Sequence, residues 1–99
     1  MISLREKRQD ERFAMEMPVL LESGTGISRD ISESGIYFLT DRQLAPGGVI
    51  RFSVKLDHVR PGKTVRLDCA GKILRVEPAG GKFGVAASIT EAWCINQQH

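Results

Sequence analysis

Ile50-Arg51-Phe52-Ser53-Val54-Lys55-Leu56 alternates without a break, with Ile50, Phe52, Val54 and Leu56 apolar and Arg51, Ser53 and Lys55 polar. A period of two marks a strand with one face in a core and the other in water. Turn signals bracket it. Ala45-Pro46-Gly47-Gly48 has Pro and then Gly at the two central positions of a type II turn, and Arg60-Pro61-Gly62-Lys63 has the same form. Beyond it, Val65, Leu67, Cys69, Gly71 and Ile73 keep one phase, while Leu74 and Val76 take the other and leave Arg75 and Glu77 outward. That slip predicts a β-bulge or a sharp bend near Gly71. Pro78-Ala79-Gly80-Gly81 closes a hairpin, and Phe83, Val85, Ala87 and Ile89 form the last clear strand. The tail around Glu91-Ala92-Trp93-Cys94-Ile95 suits either a strand or a short C-terminal helix.

Toward the N-terminus, Ile36 to Thr40 reads as a short apolar strand. Ser32-Glu33-Ser34-Gly35 before it is a tight turn in which Gly35 is free to take a positive φ. In the segment from Thr25 to Ser32, alternation assigns Ile27 and Ile31 to one face and Ser28, Asp30 and Ser32 to the other. Met15, Met17, Val19 and Leu21 form a first, partly amphipathic strand. Pro18 cannot donate to a ladder, so that strand belongs at an edge or carries an irregularity. About six strands separated by turns, with little helix, predict an all-β protein: a closed or nearly closed antiparallel barrel.

The 99 residues suit one domain, 41% hydrophobic and 26% charged. The boundaries read as a polar, flexible leader over residues 1–13 and a barrel over residues 14–99. A net charge of only +2 means that anion recognition rests on local clusters of Arg and Lys, not on bulk charge. Cys69 and Cys94 are too few for a disulfide framework, and Cys69 reads as a buried free thiol. No apolar run approaches membrane-spanning length, and the N-terminus lacks the apolar core of a secretory signal. A cytoplasmic protein without membrane insertion is the expectation.

Nothing in the sequence points to an enzyme. His58 and His99 lie apart, no Cys/His cluster has metal-ligand spacing, and there is neither a nucleophile elbow nor a phosphate loop. No metal and no cofactor are expected. Two features remain. Arg8-Gln9-Asp10-Glu11-Arg12 carries two guanidinium groups three residues apart, and Asp30-Ile31-Ser32-Glu33-Ser34-Gly35 sets a carboxylate and a hydroxyl before a glycine turn. A carboxylate suits the N–H donors on the Watson–Crick edge of guanine. An arginine fork suits guanine O6 and N7, or a phosphate, and the guanidinium plane stacks on purines. Together these groups describe a site for a guanine nucleotide.

Arg-x-x-x-Arg followed by Asp-x-Ser-x-x-Gly about twenty residues later, with one amphipathic strand between, resembles the signature of the PilZ family. Gly71-Lys72-Ile73-Leu74-Arg75-Val76 and Phe83-Gly84-Val85-Ala86 resemble the family's last two strands. The resemblance implies a six-stranded antiparallel β-barrel of PilZ type that binds the second messenger cyclic dimeric GMP (c-di-GMP) and relays the signal by contact with a downstream protein. By position, Arg8 and Arg12 would grip phosphate and guanine, Asp30 and Ser32 would read a guanine edge, and Gly35 would hold the turn. Lys7 stands where a basic residue in the family accompanies a stacked, intercalated pair of ligand molecules. The chain departs from the family's common pattern at Ala86 and Ser88, where a second Gly and a Phe are frequent, and in its short tail. An adaptor that no longer binds nucleotide is the alternative, but such a chain should have lost the motifs that this one retains. A barrel for single-stranded nucleic acid ranks last, since only six residues are aromatic, four of them Phe, and net charge is small.

Overall fold

The computed structural model describes residues 14–60 and 63–97. They form seven strands: β1 (Pro18–Leu21), β2 (Gly24–Ile31), β3 (Gly35–Thr40), β4 (Val49–Arg60), β5 (Lys63–Ala79), β6 (Lys82–Ser88) and β7 (Glu91–Gln97). All pairings are antiparallel, in the order β4-β1-β2-β3-β6-β5-β7, and β4 also pairs with β5. That last pairing closes β4-β1-β2-β3-β6-β5 into a six-stranded barrel, as expected from the sequence. Closure gives each of these six strands a strand neighbour on both sides. The tail is the strand β7, not a helix, and among the described residues there is no helix at all. None is therefore long and apolar enough to cross a membrane.

Strand β5 makes closure possible by its length of 17 residues. Its first part pairs with β4, from Arg60↔Lys63 to Val49↔Lys72, and its last part pairs with β6, from Ile73↔Ala87 to Ala79↔Lys82. Along its first part it also carries β7, from Thr64↔Gln97 to Ala70↔Glu91. The β5–β6 hairpin turns at Gly80 and Gly81, with φ of 56° and 84°. Both central residues of a type I′ turn need positive φ, which glycine adopts without strain. Pro46-Gly47 behaves as the sequence reads, with Gly47 at φ 90° and Gly48 N–H donating to the Ala45 carbonyl at 3.3 Å. Pro61 and Gly62 lie outside the described residues.

The core comes from the inward positions of all six barrel strands, with Val19, Ile36, Phe38, Val54, Val85 and Ala87 almost wholly buried. Ile50, Phe52 and Val54 point inward as their alternation predicts. Phe38 and Phe52 meet across the barrel, ring centroids 6.3 Å apart. Cys69 is buried and unpaired, and desolvation pushes its thiol up to about 11. A thiol so disposed is inert at neutral pH.

Strand β2 departs from the sequence reading. Ile27, which alternation groups with the apolar face, is 46% exposed, whereas Ser28 is fully buried. The reason is hydrogen bonding. The Ser28 hydroxyl accepts from Met17 N–H at 2.9 Å and donates to the Met15 carbonyl, while Ser28 N–H donates to the Met17 carbonyl at 2.9 Å. One buried serine thus ties the segment before β1 to β2, where Pro18, first in its strand, has no N–H to contribute. Buried Thr40 is satisfied in the same way, its hydroxyl donating to the Thr25 carbonyl at 2.8 Å. Ser28→Ala should therefore cost about 1–3 kcal/mol, because it strands buried backbone groups. Urea unfolding is expected to show a lower midpoint at unchanged slope. An unchanged midpoint would remove Ser28 from this role.

Candidate functional site

Two β-bulges organise one outer face of the barrel. In β2 the register slips between Ser28 and Asp30, and in β5 it slips between Ile73 and Arg75. Each inserts one extra residue, Arg29 and Leu74, and both are exposed, Leu74 at 62%. The bulge predicted near Gly71 therefore sits at Leu74, and Leu74 faces solvent. Gly71 has a different reason to lack a side chain: a Cβ there would collide with the Ser88 carbonyl oxygen, where β6 gives way to β7.

The two bulges flank one cross-strand row. Asp30 pairs with Tyr37, Tyr37 with Ala86, and Ala86 with Arg75. The neighbouring rows, Ser28-Phe38-Val85-Val76 and Ile31-Ile36-Ala87-Ile73, face the core. A bulge re-aims the side chains beside it. Here the two place an acidic and a basic residue at opposite ends of an outward row, three strand spacings or about 14 Å apart. The row lines an open concavity of about 520 Å³, to which Ser34, Gly35 and Glu77 also contribute.

Tyr37 braces the groove. Its hydroxyl donates to Glu77 Oε2 at 2.8 Å, reaching across β6. It passes so close to Gly84 that a Cβ there would stand 1.9 Å from the phenolic oxygen, so only glycine admits this bridge. The other oxygen of Glu77 accepts from Arg75 Nε at 3.4 Å. The hydrogen bond to Glu77, then burial, raise the Tyr37 hydroxyl above its ordinary value. The same bond, helped by Arg75, holds the Glu77 carboxyl below the usual carboxylate range against a weaker effect of desolvation. The chain Tyr37–Glu77–Arg75 thus holds a guanidinium at one end of the groove, opposite Asp30.

Of the residues singled out from sequence, Asp30 and Gly35 line this groove and Ser32 does not. Strand β2 ends at Ile31, so Ser32 does not share a strand face with Asp30. Ser32 is 6% exposed; its N–H donates to the Gly35 carbonyl at 2.8 Å and its hydroxyl to the same oxygen at 3.4 Å. Gly35 also departs from expectation. Its φ is not positive, and the space beside it is tight, since a Cβ would press at 3.1 Å on the Ala87 carbonyl oxygen. Lys7, Arg8 and Arg12 lie outside the described residues. Tyr37, Ser34 and Gly84 were not signalled by sequence, because their roles follow from pairing across strands. Among the described residues no group of three or more His, Cys, Asp or Glu is placed to hold a metal ion.

The chain is thus a closed antiparallel barrel with a polar groove on its outer wall. The PilZ domain family model matches residues 6–92, and the chain belongs to that family. PilZ domains are receptor and adaptor domains, and the family includes receptors for c-di-GMP. Among solved structures, that of the Bacillus subtilis inhibitor of motility, MotI/DgrA, is similar with a TM-score of 0.72 at 20% identity, over 85% of this chain and 43% of that one. The chain therefore spans less than half the length of that relative. No curated protein gives a significant match.

The Tyr37–Glu77 bridge has a clean readout, because Tyr37 is the chain's single tyrosine. A raised folded-state value means that the bridge contributes fully below the ordinary tyrosine range and is lost as pH rises through the folded value. Phenolate absorbance should therefore appear above the ordinary pH of 10.0 in the unaltered protein and return toward it in Glu77→Ala. Identical titrations in the two proteins would show that the bridge does not form in solution.

Proposed function

We propose that this chain binds c-di-GMP in the groove between Asp30 and Arg75, with the segment carrying Lys7, Arg8 and Arg12 closing over the ligand. The observation that carries the reading is the row Asp30-Tyr37-Ala86-Arg75, raised between two bulges beside the point where Ser28 holds the incoming chain. Met15 and Met17 are held at Ser28, two residues from Asp30. Arg12 is two residues before Ala14, a reach of at most about 7 Å, and Arg8 is within about 22 Å. Both arginines are therefore within range of the groove.

The chemistry of each group suits its part. Asp30 accepts from N1–H and the exocyclic amine of a guanine, while arginine forks donate to O6 and N7 or to phosphate oxygens. Ala86, small and central in the row, leaves room for a planar base. Ser32 contributes through the turn, bracing the Gly35 carbonyl and hence the placement of Ser34 and Asp30. Residues 1–13 act as the arm and residues 14–99 as the barrel. Ordering of the arm on the ligand changes the surface offered to a downstream protein, and that change relays the signal.

Isothermal titration with c-di-GMP tests the reading. Arg8→Ala and Arg12→Ala should each cost about 1.5–3 kcal/mol, or roughly ten- to a hundredfold in affinity, with the barrel still folded. Cyclic dimeric AMP should bind far more weakly, because adenine presents an acceptor where guanine presents N1–H, and so sets one acceptor against the Asp30 carboxylate. Unchanged affinity in both arginine variants, or equal affinity for the adenine form, would sink the assignment. No binding by the unaltered chain would favour the adaptor without nucleotide.

Stoichiometry is a separate expectation. A stacked ligand pair brings four phosphate charges together, and Lys7, Arg8 and Arg12 supply concentrated positive charge to meet them. Two ligand molecules per chain are expected. Lys7→Leu should weaken the second more than the first, and a ratio of one for the unaltered chain would contradict the pair.

A further inference from the structure

Strand β7 lies outside the closed ring. It bonds to β5 along one edge, and among the described residues its other edge has no strand partner. Its sequence, Glu91-Ala92-Trp93-Cys94-Ile95-Asn96-Gln97, contains no Lys, Arg or Pro and one charge, Glu91. Natural edge strands are normally protected by such residues or by bulges, and an unprotected edge is a template for another strand. Glu91, Ala92, Trp93 and Cys94 are all exposed, with Trp93 at 49%.

We propose that β7 pairs edge to edge with β7 of a second copy of this chain, antiparallel about a two-fold axis at Cys94. Cys94 is the midpoint of the strand. In this register Cys94 faces the partner's Cys94, Trp93 faces the partner's Ile95, and Ile95 faces the partner's Trp93. Glu91 falls opposite the partner's Gln97, at the far end of the strand from the partner's Glu91, so no like charges meet. Aromatic and β-branched pairs of this kind stabilise facing strands. Behind them on β5, Arg66 backs Ile95 and Asp68 backs Trp93, and the two pair with each other at 2.9 Å, so their charges are already matched within each copy. A two-fold axis perpendicular to the sheet keeps both outer faces on the same side, and the symmetry closes at two copies. A seven-residue strand is about 24 Å long, so the interface is smaller than a standard one and the dimer is concentration-dependent.

The test uses a reversible charge swap. Cys94 is exposed, so Cys94→Lys and Cys94→Glu are compatible with the monomer fold, which circular dichroism checks. Sedimentation velocity of the unaltered chain should show the mass rising with concentration from 11.0 kDa toward twice that value. Trp93 is the only tryptophan, so its emission should shift to the blue over the same range. Each variant alone should remain monomeric, since like charges then face each other on the axis, and an equimolar mixture of the two should dimerise. An unaltered chain that stays monomeric at every concentration would overturn the proposal. So would a Cys94→Lys variant that dimerises like the unaltered chain, or a mixture that stays monomeric.

Discussion

One extra residue in each of two strands shapes this barrel wall. Without Arg29 in β2 and Leu74 in β5, the inner row Ser28-Phe38-Val85-Val76 and the inner row Ile31-Ile36-Ala87-Ile73 would not both face the core with Asp30 and Arg75 between them. Strands β3 and β6, which lie between the bulged strands, run without a slip through Ile36-Tyr37-Phe38 and Val85-Ala86-Ala87. Two regular strands are thus flanked by two that gain a residue at the same level. The local twist and bend that a bulge imposes therefore act on both sides of the groove. The apolar core and the polar groove depend on the same feature: the bulges keep Ile31, Ile73 and Val76 on the core side while presenting charged residues outward between them.

Polar groups inside the barrel are few, and each is committed. Buried Ser28, Ser32 and Thr40 all bond to backbone, and among the described residues no buried side-chain polar atom lacks a partner. An unmet donor or acceptor in such a place costs more than the bond contributes. These three residues mark the points where the chain enters or turns. Ser28 receives the segment before β1, Ser32 closes the β2–β3 turn, and Thr40 ends β3. The groove is consequently held from beneath by backbone contacts.

The family match and the similarity to MotI/DgrA agree with this architecture, and the differences from the family's common pattern lie where the structure gives them a local role. Ala86 is the low centre of the groove. Ser88 donates its hydroxyl to the Lys72 carbonyl at 3.4 Å and accepts from Lys72 N–H at 3.0 Å, at the point where β6 ends. The chain then continues as β7 along β5. The sheet is thereby extended past the closed ring by one strand whose outer edge is open among the described residues.

Alternation over Ile50 to Leu56, the Pro46-Gly47 and Gly80-Gly81 turns and the phase of Phe83 to Ala87 were legible in the sequence, because each depends on neighbours a few residues apart. The all-β class and the barrel follow from them. Asp30 and Gly35 were legible as members of a motif, but their surroundings were not. Tyr37 meets Asp30 only because Arg29 is extra, and it meets Glu77 only because Gly84 on a third strand has no side chain. Ile27 and Ser28 exchange faces because a hydroxyl with two backbone partners outweighs the exposure of one isoleucine, a balance that no local pattern records. Sequence determines periodicity, turns and the inventory of charged groups, since those act over short distances along the chain. Register across strands, and with it the groove, is decided only when strands distant in sequence are brought to hydrogen-bonding distance, where one inserted residue changes which side chains meet.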